Sequence, residues 1–311
     1  MMNTVSNCLK NGTEFLNLSG VPEPRISAEA LLSYVLNRPR FSLYLETNRA
    51  VEETKRLQFE ALLTKRASRY PLQYLVKQVP FRNVTLEIGE GCLIPRPETE
   101  ILVQIVLDEM AKRGQVLRPV PFFGRTDTVM QILDVGTGSG NIAVSLAKER
   151  PDWNVTGTDI SSEALRYAQL NARMNSVENR VRFVETDLWK DIKNESFDII
   201  ISNPPYLTSD ELEMLQPEVA FEPRSSLDGG RDGLAFFRRI IRNAHAILSA
   251  RGRIRHLCGG KPSGFVFFEV GLGQAESVCE FLKTNGFQNI QCSKDDSNID
   301  RVISAQLKLH G

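Results

Sequence analysis

An excess of charge of either sign is missing from this chain: 38 lysines and arginines balance 38 aspartates and glutamates, a formal net charge of zero over 311 residues. Proteins that hold nucleic acid mainly by neutralising phosphates carry a basic excess, so stable nucleic-acid binding is not expected, a local basic patch aside. Histidine is scarce, with only His245, His256 and His310, and the cysteines Cys8, Cys92, Cys258, Cys279 and Cys292 form neither a C-x-x-C pair nor a Cys/His cluster. That spacing points to reduced, structural thiols and to no metal. Long apolar runs are lacking too, and residues 1–18 mix Asn, Thr and Glu with their apolar residues. Neither a secretory signal nor an Arg-rich transit pattern is legible there, so a cytoplasmic protein without membrane segments is expected. No internal repeat or low-complexity tract breaks an ordinary globular composition, 41% hydrophobic and 24% charged.

What is present divides by periodicity. Residues 26–36 carry Ile26, Ala30, Leu31, Tyr34 and Val35 at helical spacing, and residues 51–63 repeat the pattern with Leu57, Ala61 and Leu62 among charges. A small helical domain over residues 1–78 is expected. Between Phe81 and Ile94 the pattern turns to alternation at Val84, Leu86 and Ile88, punctuated by Gly89 and Gly91, which reads as a β-hairpin linker over residues 79–95. A helix begins near Pro97 and runs toward Lys112, with Pro and acids in its first turn. Residues 114–128, rich in Pro, Gly and Arg, read as a loop. From Met130 on, short β-rich runs at residues 132–133, 155–158, 181–184, 199–201 and 265–270 alternate with helical stretches. Such alternation makes a parallel sheet with right-handed crossovers, whose ligands gather beyond the carboxyl ends of the strands. Residues 96–311 are expected to form this domain.

Asn203-Pro204-Pro205-Tyr206 directly follows one of these strands and suits one chemistry, methylation of a planar NH₂. The lone pair of an amide or aminopyrimidine nitrogen is delocalised, so that nitrogen attacks a methyl sulfonium poorly unless both its hydrogens are held by acceptors. The Asn203 side-chain oxygen and the Pro204 carbonyl are candidate acceptors, the two prolines fix φ, and Tyr206 is placed to stack on the flat amide. Alone, Asn-Pro-Pro is equally a stiff strand-exit turn.

The first strand of the domain ends in Asp134-Val135-Gly136-Thr137-Gly138-Ser139-Gly140-Asn141 and opens a helix, a place where glycines admit a ligand to the backbone and the helix start favours a negative group. A dinucleotide fingerprint requires G-x-G-x-x-G; here Asn141 stands where its third glycine belongs, and the pattern fits S-adenosylmethionine better. Asp159 ends the next strand, placed to accept ribose hydroxyls or, alternatively, to cap the helix at Ser161-Ser162. Asp187-Leu188-Trp189 leaves the third strand, with an acid for an adenine amino group and apolar side chains to cover the ring; Trp189 is as readily ordinary core. Glycine loop, Asp159 and the Asn203 tetrad thus stand in order at strand ends.

With these stretches, and with Pro71-Leu72-Gln73-Tyr74, Ile94-Pro95-Arg96-Pro97-Glu98-Thr99-Glu100, Glu222-Pro223-Arg224-Ser225-Ser226-Leu227-Asp228-Gly229-Gly230 and Ile299-Asp300-Arg301-Val302, the chain resembles the HemK/PrmC family. These are the protein-(glutamine-N5) methyltransferases of class I peptide chain release factors, and the resemblance runs over about residues 28–303. It implies a class I S-adenosylmethionine-dependent methyltransferase, Rossmann-like, with a mostly parallel seven-stranded sheet and a helical amino-terminal domain that docks the release factor. It also implies that Gly136, Thr137, Gly138, Ser139, Gly140, Asp159, Asp187, Leu188 and Asn203 contact the cofactor, and that Asn203, Pro204, Pro205 and Tyr206 hold the substrate glutamine, with Asn203, Pro204 and Tyr206 in the catalytic role. A monomer is expected. Arg96 with Glu98 or Glu100 reads either as an exposed charge group or, by the resemblance, as a border of the cofactor pocket. Glu222, Arg224 and Asp228 read as a turn network. Two departures stand out: residues 253–263 insert a basic stretch, read as a solvated loop, before Gly264-Phe265, and Val76-Lys77 stand where the family usually has a glycine.

Overall fold

The computed structural model describes residues 4–112, 129–248 and 264–307. The loop expected at 114–128 and the basic insertion at 253–263, with His256, Cys258 and His310, lie outside the described residues. The chain divides into two compact units.

The first unit comprises Met1–Gln78, Ile88–Glu90 and Leu215–Glu222. Its helices are α1 (Val5–Leu18), α2 (Pro24–Leu36), α3 (Ser42–Leu45), α4 (Glu53–Ala67) and α5 (Leu72–Val76). Thr4 caps α1 by accepting the Asn7 N–H at 3.3 Å, and a proline opens α2, where its missing N–H costs nothing. The core joins Leu16, Leu31, Leu32, Val35, Phe59 and Leu63. Two helical stripes therefore differ from the expectation. In α4 the buried residues are Phe59, Leu63 and Arg66, whereas Leu57 is 52% exposed. In α2 Ile26 and Tyr34 are exposed, and the buried face includes Glu29. Polar residues hide the true phase in both. Glu29 accepts from Arg25 Nε at 2.8 Å, Arg40 Nε at 2.6 Å and the Tyr44 hydroxyl. Burial alone would push its carboxyl up, but these donors outweigh burial and hold its pKa below the usual carboxylate value.

Arg66 and Arg69 do the same for a distant piece of chain. Glu218 accepts from Arg69 Nε and Nη2, both at 2.6 Å, and lies 3.0 Å from Arg66 Nη1. Tyr70 packs edge-on against Phe221 at 5.2 Å. Residues 215–222 thus belong to the helical unit although nearly 150 residues separate Glu218 from Arg69.

The second unit holds a seven-stranded sheet in the order β5-β4-β3-β6-β7-β9-β8. Its strands are β3 (Met130–Val135), β4 (Trp153–Asp159), β5 (Val181–Glu185), β6 (Ile199–Ser202), β7 (Phe265–Glu269), β8 (Phe287–Lys294) and β9 (Asp300–Leu307). The first five run parallel, and β9 pairs antiparallel with both β7 and β8. The parallel part is what the strand–helix alternation led one to expect, and the seven-stranded, mostly parallel whole is what the resemblance implied. β6 and β7 are buried along their whole length, as strands covered on both faces must be, which is why they read as unbroken apolar runs. On one face Leu133, Ile200, Val266 and Phe268 pack with α10 (Ala235–Asn243) and α11 (Ala275–Thr284). The other side carries α6 (Glu98–Lys112), in contact with β7 and β9, and α7 (Asn141–Glu149), which neighbours α6 and β4; α8 (Ser162–Met174) adjoins α7.

The hairpin β1 (Gln78–Phe81) and β2 (Val84–Glu87) forms its own two-stranded sheet, and most of it packs in this second unit. Asn171 of α8, fully buried, stitches it there: the Asn171 amide donates to the Glu87 and Ser139 carbonyls, both at 2.9 Å, and accepts the Glu87 N–H at 2.6 Å. One side chain therefore ties the hairpin to the glycine loop.

Candidate active site

Register decides where the motifs meet. Val135 pairs with Thr158 on one side and Ser202 on the other, Asp159 pairs with Glu185, and Ser202 pairs with Phe268. The residues just beyond these pairs, Gly136, Asp159, Asp187 and Asn203, share the carboxyl edge of the sheet. From β3 the sheet order runs one way to β4 and the other way to β6, so a crevice opens beside β3 between crossovers that leave in opposite directions.

A cavity occupies this crevice, with about 1020 Å³ of empty space including its open mouth, ample for a nucleoside-sized ligand. Gly136, Thr137, Gly138, Ser139, Asp159, Asp187, Leu188, Asn203, Pro204 and Pro205 all line it. Of the residues assigned to the cofactor or the substrate glutamine by the resemblance, Gly140 and Tyr206 do not. Gly140 sits below as the N-cap of α7 at φ 81°, and a Cβ there would meet Ala168 at 3.2 Å. Tyr206 is partly buried against the core under α10 and α11, with its carbonyl held by Gln274 Nε2 at 2.8 Å. Burial first, and then the nearby Glu269 charge, push its phenol up to about 12.

The glycine loop is built for approach. Gly136 and Gly138 have φ of 72° and 54°, and nothing lies within 4 Å of where a Cβ would stand on either, so the bare backbone faces open space. The Gly136 and Thr137 N–H groups donate back to the Thr158 carbonyl at 2.8 and 2.9 Å, which ties the loop to β4. No side chain caps α7, leaving its first turn able to receive a negative group. Beneath the loop Asp134 is fully buried and accepts the Thr137 hydroxyl at 2.5 Å. Burial pushes its carboxyl up to about 7, against the opposing Thr137 and Ala143 hydrogen bonds.

Asp159 is anchored rather than free: its two oxygens accept the Gly138 N–H and the Ser161 N–H, each at 2.9 Å. It does not cap α8; Ser161 does, accepting the Ala164 N–H at 3.1 Å. Each carboxylate oxygen keeps a second lone pair, which suits hydroxyl donors. Burial raises its carboxyl above the usual range despite those backbone donors. Farther along the edge, Arg239 Nη2 lies 2.7 Å from both Asp187 oxygens. Leu188 takes φ 57° in the cavity wall, and Phe236 and Ile240 of α10 complete the apolar side. Trp189 is core, 6% exposed.

At the other end, Asn203 Nδ2 donates to the Thr99 hydroxyl oxygen at 3.0 Å, so its Oδ1 is not spent on that contact. Pro204 is buried beside it. Leu93, Pro95, Arg96 and Thr99 also line the cavity, so the segment containing Arg96 borders the site. Pro223, Ser225 and Ser226 do likewise, held in place where the Gly229 N–H donates to the Leu207 carbonyl at 2.8 Å and the Leu207 N–H to the Leu227 carbonyl at 2.9 Å. Arg224 and Asp228 approach within 3.8 Å as a turn pair. Thr99, Gln274 and Arg239 were not legible as site residues. Each acts on the site across more than fifty residues of sequence, and only Thr99 lies in a stretch, residues 94–100, that carries the resemblance. Among the described residues no cluster of His, Cys, Asp or Glu is arranged to hold a metal, and no helix is long and apolar enough to cross a membrane.

The sheet order and the loops at its carboxyl edge define a class I, Rossmann-like methyltransferase. The catalytic domain of hMettl16 in complex with a MAT2A 3′UTR hairpin shares the fold at 13% identity and a TM-score of 0.54, covering 88% of this chain and 90% of that one. Residues 123–219 match the family described as Methyltransferase small domain, and residues 7–76 the PrmC N-terminal domain. The release factor glutamine methyltransferase of Thermodesulfovibrio yellowstonii is 36% identical over 90% of this chain and 91% of its own length. That of Geobacter sulfurreducens is 35% identical over 94% and 93%. The chain belongs to the release factor glutamine methyltransferase family.

Proposed function

We propose that this enzyme transfers a methyl group from S-adenosylmethionine to the side-chain amide nitrogen of the glutamine in the Gly-Gly-Gln loop of a class I peptide chain release factor. The observation that carries the reading is the Asn203 amide. Its NH₂ is committed to Thr99, which leaves Oδ1 as an acceptor at the cavity, beside the Pro204 carbonyl and on the same edge as the open glycine loop. Two acceptors held in place, Oδ1 by the bond to Thr99 and the carbonyl by the fixed φ of the prolines, are what a planar NH₂ requires. The names of the relatives, which cover most of this chain, favour the same substrate.

The lining residues fit the cofactor: the uncapped start of α7 for its carboxylate, Asp159 for ribose hydroxyls, and Asp187 and Leu188 with Phe236 for the adenine. When bound, S-adenosylmethionine supplies an electrophilic methyl on a sulfonium. Asn203 Oδ1 and the Pro204 carbonyl take the two amide hydrogens, which concentrates electron density on the nitrogen and turns its lone pair toward the methyl. The prolines fix the carbonyl and Thr99 fixes the Asn203 amide, so no reorganisation accompanies attack. The nitrogen carries a positive charge when first methylated, is then strongly acidic and gives its extra proton to water, so no strong base is required. Tyr206, its phenol near 12, stays neutral at physiological pH and is no base. Pro205 is assigned to the substrate face, and the helical unit to docking.

The test is to incubate the purified chain with methyl-labelled S-adenosylmethionine and a cell extract, then identify the labelled molecule and residue. Label on the Gly-Gly-Gln glutamine of a release factor supports the reading. Label in DNA, RNA or a ribosomal protein, with release factor unlabelled, overturns it.

A further inference from the structure

Behind Asn203 stands an acid to which no role has yet been given. Glu269 ends β7, and because Ser202 pairs with Phe268, Asn203 and Glu269 are the next neighbours across the two strands. Val266 and Phe268 face the core under α10 and α11, so Phe267 and Glu269 point to the opposite face, the side on which α6 contacts β7. There Thr99, in the first turn of α6, is 1% exposed, and so is Glu269. The Glu269 carboxylate faces the Thr99 hydroxyl and the Asn203 amide, with Arg301 of β9 and Glu98 of α6 as the nearby charges and the Tyr206 phenol as a further neighbour. Neither of its oxygens completes a hydrogen bond of ordinary geometry. A buried carboxylate left in that state is unfavourable, and it does not line the cavity, so it touches no ligand.

A hydroxyl has one hydrogen to give and two lone pairs. We propose that Glu269 is a positioning residue: it claims the Thr99 hydrogen, leaves Thr99 only a lone pair to offer, and thereby holds Asn203 with its NH₂ inward and Oδ1 toward the cavity. This inference rests on the reading of Asn203 as the acceptor of the substrate amide. An Asn amide has nearly the same shape when its oxygen and nitrogen exchange places, so packing alone cannot choose between the two orientations. The hydrogen-bond direction can. Protonated Glu269 can itself donate to Thr99, freeing the Thr99 hydrogen for Asn203 Oδ1. Asn203 then turns its NH₂ to the cavity, where it meets the substrate NH₂ donor to donor.

The charged form of Glu269 is therefore the active one. Burial pushes its carboxyl up to about 7, raised further by Glu98 and opposed by Thr99, Arg301 and Asn203. Methylation is expected to rise as pH passes upward through this value.

The experiment compares wild type, Glu269→Gln, Thr99→Val and Asn203→Ala in single-turnover methylation of a purified class I release factor from pH 5.5 to 8.5, with S-adenosylmethionine affinity measured by calorimetry. Glu269→Gln is expected to lower the rate constant about ten- to a hundredfold, as loss of an outer orienting partner does at other preorganised sites. Cofactor affinity and the KM for release factor should stay near wild type, and the limb near pH 7 should vanish. Thr99→Val should behave alike and carries the test if Glu269→Gln fails to fold. A wild-type rate in either folded variant, or a lowered rate with the limb intact, overturns the inference. An unaffected Asn203→Ala instead overturns the reading of the site itself.

Discussion

Replacing Asn203 by Ala is the most direct test of the chemistry. The side chain is half-buried, and its amide is set before substrate arrives because Thr99 holds Nδ2 at 3.0 Å. An acceptor oriented in this way loses nothing to reorganisation, so its removal resembles deletion of one preorganised hydrogen-bonding group, about 2.7–4 kcal/mol of barrier, or a hundred- to thousandfold in rate. The same substitution deletes the bond to Thr99, for which about 1 kcal/mol of stability is expected to go. The two effects separate experimentally. Single-turnover methylation of release factor at saturating cofactor reads the first, chemical denaturation the second, and calorimetry with S-adenosylmethionine should show far less change than the rate. A folded Asn203→Ala variant that methylates at the wild-type rate would remove Asn203 from its role. A rate loss matched by an equal loss of cofactor affinity would refute the reasoning differently, by making Asn203 a cofactor residue alone.

Asp159→Ala should weaken S-adenosylmethionine binding by about 1.5–3 kcal/mol, the range for hydrogen bonds to a charged acceptor; calorimetry measures it, and tight NAD binding without S-adenosylmethionine binding would reverse the cofactor assignment. Lys77 ends α5 at φ 62°, where its N–H donates to the Gln73 carbonyl at 2.7 Å. Lys77→Gly relieves a left-handed residue at some cost in chain entropy, and a net gain of roughly 0.5 kcal/mol in denaturation is expected; a loss would show that the lysine side chain itself holds the turn. Partial burial would raise Glu218, but Arg69 and Arg66 outweigh it and bring it down to about 2. A depressed carboxylate stabilises the fold above its ordinary value near 4.5 and loses that contribution as pH falls toward 2. Denaturation from pH 7 to 2.5 should therefore show Glu218→Gln less stable at neutral pH, by ~1–3 kcal/mol, and converging on wild type in acid; parallel curves would contradict the ion pair.

Local patterns were enough to read the five parallel strands and their ends, whereas β8 and β9 were not marked by them. β6 and β7 are buried on both faces, so their sequences are apolar throughout, and the residues that follow them must lie on the ligand-binding edge. Glycines at 136, 138 and 140 marked a loop that admits a ligand to the backbone, and all three take left-handed angles that few other residues tolerate. The Asn203 tetrad stood out because the residues proposed for the chemistry are adjacent in sequence.

Tertiary structure alone decided what surrounds those residues. Thr99 and Asn203 are 104 residues apart, and Gln274 reaches the Tyr206 carbonyl across 68; neither pairing leaves a trace in local periodicity. The helical stripes were misphased for a related reason. Glu29 and Arg66 are buried because partners elsewhere satisfy their charges, and a charged residue counts as surface until those partners are known. Residues 215–222 look like one more loop after the tetrad, yet the ion pairs of Glu218 assign them to the helical unit. Sequence thus determines what depends on neighbours along the chain, the strand, the turn and the rigid tetrad. Folding decides which buried polar groups face each other, because that depends on distances between segments that the order of residues does not contain.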